Sequence, residues 1–244
     1  MAKRVLLPSE AVHCSSCMLG HVCLPIGMST HDVAKLDGLI KERLRIEKGK
    51  PLYTLNEPLT AIYSVRIGTL KTQIENAQGQ FQITGFHLPG EIVGLDGMIE
   101  GHHVSTAVAL EDAEVCVIRL EDMDNLARHL PSLQQQVLRL MSREISRSHQ
   151  MLMALGSMRA EQRLAAFLLN LSTRLSALGY SSTEFVMRMS REEIGNYLGL
   201  TLETVSRLFS RFAREELIRV NQRQVQLLDK EKLHKLIEKE KDAA

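Results

Sequence analysis

Between about Arg45 and Leu120 apolar and polar residues alternate, as in Tyr63, Val65, Ile67 and again in Val104, Thr106, Val108, Leu110, and glycines at 49, 68, 79, 85, 90 and 94 interrupt the pattern. Alternation of period two marks half-buried strands, and the glycines mark turns between them. The stretch predicts an antiparallel barrel or sandwich of short strands. Ahead of it, Val33, Leu36, Leu39 and Ile40 stand at helical spacing behind Thr30, which predicts a short helix capped by that threonine. Behind it the period lengthens. From Leu133 to Leu155, stopped by Gly156, the residues Leu138, Met141, Ile145, Ser148, Leu152 and Leu155 recur alternately three and four positions apart. This is a heptad seam suited to a partner helix. Leu133, Val137 and Leu140 form a second apolar line that can dock on the chain's own barrel.

Arg159 to Leu178 reads as another amphipathic helix, with Leu164, Phe167, Leu168, Leu171 and Leu175 on one face and Gly179 closing it. A strand (Phe185, Met187, Met189), two short helices, a hairpin around Asn221, Gln222 and Arg223, and a lysine-rich terminal helix follow. Ser190 and Glu193 have the spacing of a capping box, in which each side chain satisfies the other's exposed backbone donor. A helix starting there buries Ile194 and Leu198, turns at Gly199 and restarts at Thr201 with Val205, Leu208 and Phe212 inward. That is a helix-turn-helix. The second helix then exposes Glu203, Ser206, Arg207 and Arg211. Arginine can donate twice to guanine, glutamate can accept from cytosine, and serine suits either base. Arg191, Thr201, Thr204 and Arg211 are better placed to hold phosphates.

Charge agrees with that division. Residues 1 to 158 carry 15 Lys and Arg against 17 Asp and Glu, whereas residues 159 to 244 carry 15 against 12. The basic bias sits on the C-terminal part, where a local patch can meet nucleic acid. At 244 residues, 44% hydrophobic and 24% charged, the chain suits two globular modules. No stretch approaches the roughly 18 apolar residues of a membrane span, and the first residues, Met1 to Pro8, hold no apolar run long enough for a secretion signal. A cytoplasmic location without membrane partners is expected.

Cys14, Cys17 and Cys23 lie within ten residues, and Cys116 follows ninety-three positions later. Cytosolic thiols stay reduced, so a disulfide framework is not expected. Three thiols on a loop held irregular by Gly20 and Pro25 suit zinc or an iron-sulfur cluster, and spacing leaves both open. Cys116, within Val115 to Ile118, should point away from the barrel core, unless it is an inert buried thiol. His13 and His21 flank the triple and read as solvated loop residues. Met18 and Val22 stand beside the ligands as candidate screens against oxidant.

These segments, with Gln82 to Leu88, Leu140 to Ile145, Arg163 to Phe167, and Ile194 to Leu200 through Glu203 to Arg207, resemble the fumarate and nitrate reduction regulator (FNR) group of the cyclic-AMP receptor protein (CRP) superfamily over essentially the whole chain. The resemblance implies an α+β fold with an N-terminal antiparallel β-roll, double-stranded and jelly-roll-like, as sensor domain, then a long dimerisation helix and a C-terminal winged helix-turn-helix. Expected limits are 1–28 for the cysteine loop, 29–130 for the β-roll, 131–156 for the dimerisation helix and 159–244 for the DNA-binding domain. It further implies a [4Fe-4S] cluster on Cys14, Cys17, Cys23 and Cys116 that favours a DNA-binding homodimer without oxygen. Glu203, Ser206 and Arg207 match residues that read a TTGAT-type half-site, two of which form a palindrome. RNA polymerase is the expected partner, contacted through the loop from Glu75 through Gly79 to Gln80, although relatives usually carry an acid at Gln80. Well-known relatives also place aspartate where Ser148 stands on the seam, so a like-charge repulsion between protomers is missing here.

Two other classes fit less well. Gly90 and Glu91 resemble the start of a cyclic-nucleotide phosphate cassette, but residues 103–107 supply no arginine to pair with a phosphate, so no cyclic nucleotide is expected. No nucleophile, base and orienter fall together in any motif, so the chain is not expected to be an enzyme.

Overall fold

The computed structural model describes residues 3–5, 13–76 and 78–238. The reading of Met1 to Pro8 as lacking a secretion signal falls mostly outside them, as do the expected outer limits at residues 1 and 244. The chain divides into two compact units near residue 145. That division falls within the long helix, where the sequence reading places a separate connector segment.

Unit 1 contains β1 (Lys3–Val5), α1 (Thr30–Leu36), β2 (Ile40–Ile46), β3 (Pro51–Tyr53), β4 (Ala61–Ile67), β5 (Leu70–Glu75), β6 (Phe81–His87), β7 (Ile92–Val93), β8 (Thr106–Ala109), β9 (Ala113–Arg119), α2 (Leu120–Ala127) and most of α3 (Pro131–Ser157). Among the described residues the strands form two antiparallel sheets, ordered β1-β2-β9-β4-β7 and β3-β8-β5-β6. Alternation along β9 explains how one strand serves two cores. Ala113 and Val115 join Ile46, Tyr53, Val65, Leu70 and Ala107 between the sheets, whereas Cys116 and Ile118 face the opposite side. There Leu24, Leu36, Leu133 and Leu140 cover the five-stranded sheet, packing with Ile62 of β4. The second apolar line of α3 thus docks on the β-roll, with Leu133 and Leu140 buried.

Three local expectations change. Ser29, not Thr30, caps α1, accepting from the Asp32 amide at 3.1 Å. Ile40 already belongs to β2, because a strand pairing with β9 outweighs a single turn of helical spacing. Gly156 does not stop α3, which runs to Ser157.

Unit 2 contains α4 (Ala160–Ala177), β10 (Glu184–Val186), α5 (Arg191–Leu198), α6 (Leu202–Arg214), β11 (Ile218–Asn221), β12 (Gln224–Leu227) and α7 (Lys230–Glu238). The strands form a sheet ordered β10-β12-β11 beside the helix pair, which is a winged helix-turn-helix. Gly179 follows α4 at φ +83°. The β11–β12 turn is made without glycine, Gln222 taking φ +53°.

Candidate functional site

The cysteine segment is a succession of tight turns. The Cys17 amide donates to the Cys14 carbonyl, Gly20 to Cys17, Cys23 to Leu19, and Ile26 to Cys23, at 2.9 to 3.3 Å. Asp37, just after α1, anchors its start by accepting from the Ser15 amide at 2.9 Å and the Ser15 hydroxyl at 2.6 Å, with His13 Nδ1 at 3.5 Å. Leu24, 1% exposed, plugs the segment into the core under the five-stranded sheet. Gly90 makes the approach possible: at φ +85° it would place a Cβ 2.6 Å from Val22 Cγ2. Val22 is therefore a packing residue of the loop.

This folding brings Cys14, Cys17 and Cys23 to one cavity with Cys116 on β9, and Leu19, Pro25, Ile40, Ser64 and Arg66 complete its walls. Cys116 points away from the sheet interior as its register predicts, yet the loop covers it, leaving it 9% exposed. Met18 turns to solvent at 89% exposure and does not screen the cavity; Leu19 lines it instead. Cys23 Sγ lies 3.0 Å from Ser64 Oγ. Among the described residues no three His, Cys, Asp or Glu side chains converge closely enough to chelate one metal ion. The donor set is four soft thiols around a common space, which fits a multi-iron cluster.

Burial pushes the Cys14 thiol up to about 12, and the neighbouring Cys23, Cys116 and Cys17 push the same way. Burial likewise raises Cys23. Cys116 rises to about 11, burial outweighing the opposing pull of Arg43. Without metal these are protonated, poorly reactive thiols, and metal ions would supply the positive charge that favours thiolates.

The helix-turn-helix is built by complementary local contacts. The Ser190 hydroxyl accepts from the Glu193 amide at 3.1 Å and Glu193 accepts from the Ser190 amide at 2.8 Å. Gly199 ends α5 at φ +63°, and Thr201 caps α6. Val205, Leu208, Phe209 and Phe212 are buried, so Glu203, Ser206 and Arg207 face solvent together. A backbone contact and the Thr201 hydroxyl, helped by Arg207, hold the Glu203 carboxyl below its ordinary range, keeping it an acceptor. The candidate phosphate residues divide. Thr201 and Thr204 hydroxyls sit 3.1 Å apart at the α6 N-terminus. Arg211 pairs with Glu161 at 2.6 Å and Glu215 at 2.7 Å. Arg191 lies over Phe209, its Cζ 3.1 Å from the ring centroid, and desolvation lowers it to about 10.

Arg163, quoted in the sequence only as part of a motif, proves to be a brace. Its guanidinium donates to the carbonyls of Leu155 at 2.8 Å, Met158 at 3.0 Å and Leu198 at 3.0 Å. One side chain thereby joins the end of α3 to the end of α5.

On α3, Leu138, Ile145 and Leu152 are 66%, 57% and 67% exposed, an apolar row left open beside the docked face. Between β5 and β6 the Asn76 side chain accepts from the Gln78 and Gln80 amides and donates to Gln80 Oε1, all at 3.0 Å; Gly79 takes φ +78°. No helix among the described residues is long and apolar enough to cross a membrane.

A β-roll, a long helix and a winged helix-turn-helix in this order define a DNA-binding transcription regulator that works as a dimer. Residues 43–129 match the cyclic nucleotide-binding domain family, and residues 162–236 match the Crp-like helix-turn-helix domain family. The transcriptional regulatory protein btr of Bordetella pertussis is 71% identical over 98% of this chain and 99% of its own. The fumarate and nitrate reduction regulatory protein of Vibrio cholerae is 42% identical over 96% and 94%. Among solved structures, FixK2 from Bradyrhizobium japonicum superposes with a TM-score of 0.74 at 30% identity, over 83% of this chain and 97% of that one. This chain belongs to the CRP/FNR superfamily and, within it, to the FNR group.

Proposed function

We propose that this chain is an oxygen-responsive transcription regulator in which Cys14, Cys17, Cys23 and Cys116 hold a [4Fe-4S] cluster. The observation that carries the reading is the meeting of four thiols, from a loop and a distant strand, at one cavity. Relatives named as fumarate and nitrate reduction regulatory proteins and as an anaerobic regulatory protein support the same chemistry. The cluster, when bound, supplies the oxygen-labile group; the loop and β9 supply its thiolates, and Leu24 and Asp37 fix the loop.

The output is a homodimer formed along Leu138, Met141, Ile145, Ser148, Leu152 and Leu155, binding a TTGAT-type palindrome of anaerobic-metabolism genes. Glu203, Ser206 and Arg207 read bases, while Thr201 and Thr204 at the α6 N-terminus hold phosphate. Arg211 joins them by exchanging Glu161 or Glu215 for a phosphate, and Arg191 contributes by fixing α5 on α6. Polymerase is contacted through Glu75, Gly79 and Gln80, with Gln80 neutral and engaged by Asn76. Because Ser148 carries no charge to repel its twin, dimerisation is less tightly tied to the cluster than in relatives with an acid there; a clean monomer in sedimentation of the metal-free protein refutes this.

Cyclic nucleotide is not the signal. On the turn after β7, Asp96 accepts from Ser105 at 2.6 Å and lies 3.4 Å from His103, which stacks on Tyr53. Burial alone would raise the Asp96 carboxyl, but His103 and Ser105 hold it below its ordinary range. A carboxylate held in its charged form, even one partly open to solvent, repels a phosphate.

Anaerobic purification, with visible absorbance, iron and sulfide analysis and binding to the palindrome before and after air, tests the proposal. A brown protein with about four iron per chain that releases DNA in air is expected. A colourless zinc protein, or equal DNA binding in air, rejects oxygen sensing and leaves a constitutive or zinc-stabilised regulator of the same fold.

A further inference from the structure

Beside the thiols, the same face of the five-stranded sheet carries a buried charged network. Glu114 precedes Cys116 by two residues on β9, so both project to one side. Cys116 pairs in register with Arg43 of β2 and Ser64 of β4, and Glu114 with Arg45. Glu114 is 8% exposed, and three guanidiniums reach it: Arg66 Nη1 at 3.0 Å, Arg45 Nε at 3.3 Å and Arg43 Nη1 at 3.4 Å. Arg45 is largely solvated, but the Arg43 side chain is only 12% exposed, and Arg66 lines the cysteine cavity. Arg43, poorly solvated, and Arg66, one-third exposed, therefore share one carboxylate, leaving positive charge in excess where the sheet meets the cavity. The Nε atoms of both arginines are buried without a hydrogen-bond partner. A network kept for packing alone would bury fewer charges.

We propose that Arg43 and Arg66, positioned by Glu114, are the counter-charge for the thiolate-bound cluster, an inference that rests on the cluster reading above. Loading a [4Fe-4S]2+ core replaces four S–H bonds with four Fe–S bonds and sends four protons to solvent. The bound group then carries a formal charge of −2. Burying that charge is costly unless opposite charge lies close by. Arg43, directly across the strand pair from Cys116, and Arg66, in the cavity wall, supply it. Glu114 holds both guanidiniums on the sheet while reducing the excess.

The network makes a signed prediction. Arg43→Gln removes a positive charge and weakens retention; Glu114→Gln removes a negative charge and strengthens it. Full-length protein carrying its cluster is challenged anaerobically with EDTA, following visible absorbance and iron per chain, for wild type, Arg43→Gln, Arg43→Lys and Glu114→Gln. Arg43→Gln should release its cluster about tenfold faster, Arg43→Lys should return close to wild type, and Glu114→Gln should release it about threefold more slowly. Acceleration in both Arg43→Gln and Glu114→Gln, or no change in Arg43→Gln, overturns the proposal, since loosened packing would speed loss whatever the sign of the charge removed. If Glu114→Gln does not fold, the Arg43→Gln and Arg43→Lys pair decides. Wild type that takes up no iron rejects the cluster reading itself, and the counter-charge with it.

Discussion

The exposed face of α6 and the cysteine cavity are built to opposite rules. In unit 2 backbone donors at the starts of α5 and α6 are already satisfied by Ser190, Glu193 and Thr201, and Glu203, Ser206 and Arg207 stand in solvent, the Glu203 carboxylate stabilised. That surface is complete without its ligand. In unit 1 Cys14 and Cys116 are buried, and the thiols of Cys14, Cys23 and Cys116 are pushed away from the ionisation state in which they would bind metal. Here the fold assembles groups that disfavour one another until something positive arrives. A sensor benefits from this arrangement, because losing the ligand leaves its site in a less favourable state, whereas a reading head must be ready at all times.

The largest expected effect separates the two sites outright. Cys116→Ala should abolish iron retention and lower anaerobic affinity for the palindrome at least about tenfold, while circular dichroism of the helix-turn-helix stays unchanged; iron analysis and gel-shift titration check it. Arg207→Ala should do the converse, leaving iron content intact while costing about 1–3 kcal/mol of binding to the preferred half-site and relaxing base preference. Competition between the palindrome and a base-substituted version measures this.

A pH effect of intermediate size sharpens the contrast. The folded-state values of Cys14 and Cys116 lie above their ordinary 9.0, at about 12 and about 11. Their protonated forms therefore favour the fold below about 9, and that contribution is lost as pH rises through the folded values. Metal-free protein kept under reductant should lose urea resistance in unit 1 over that window, more steeply than Cys116→Ala. The smallest effect lies in unit 2, where Ser190→Ala removes one half of the capping box and should cost about 1 kcal/mol of stability, seen as a lower thermal midpoint without change in iron.

What could be read along the chain differs between the same two regions. The capping box, Gly199, Thr201 and the buried positions of α6 are contacts within a few residues, so their spacing already contains their geometry; Phe209 lies outside the predicted inward set and is buried with Arg191 over its ring. The docked face of α3 was legible as Leu133, Val137 and Leu140 for the same reason. The cavity was legible only as a set of cysteines. Nothing near Cys14 in sequence indicates Ser64, Arg43 or Gly90, which reach it through strand register and the packing of Val22. Arg163 likewise lies within a recognisable motif, but its three carbonyl partners come from two other helices and a linker.

By itself the sequence determined most of the elements, the double face of α3, the exposed face of α6 and the four thiols, because periodicity and caps are local properties of the chain. Only the tertiary structure decided that Cys116 is covered, that Met18 is outside the cavity and Leu19 within it, that Arg211 is held in ion pairs, and that three arginines converge on Glu114. Each of these depends on residues far apart in the chain being brought together by sheet register and burial, and no local pattern encodes which partner they will meet.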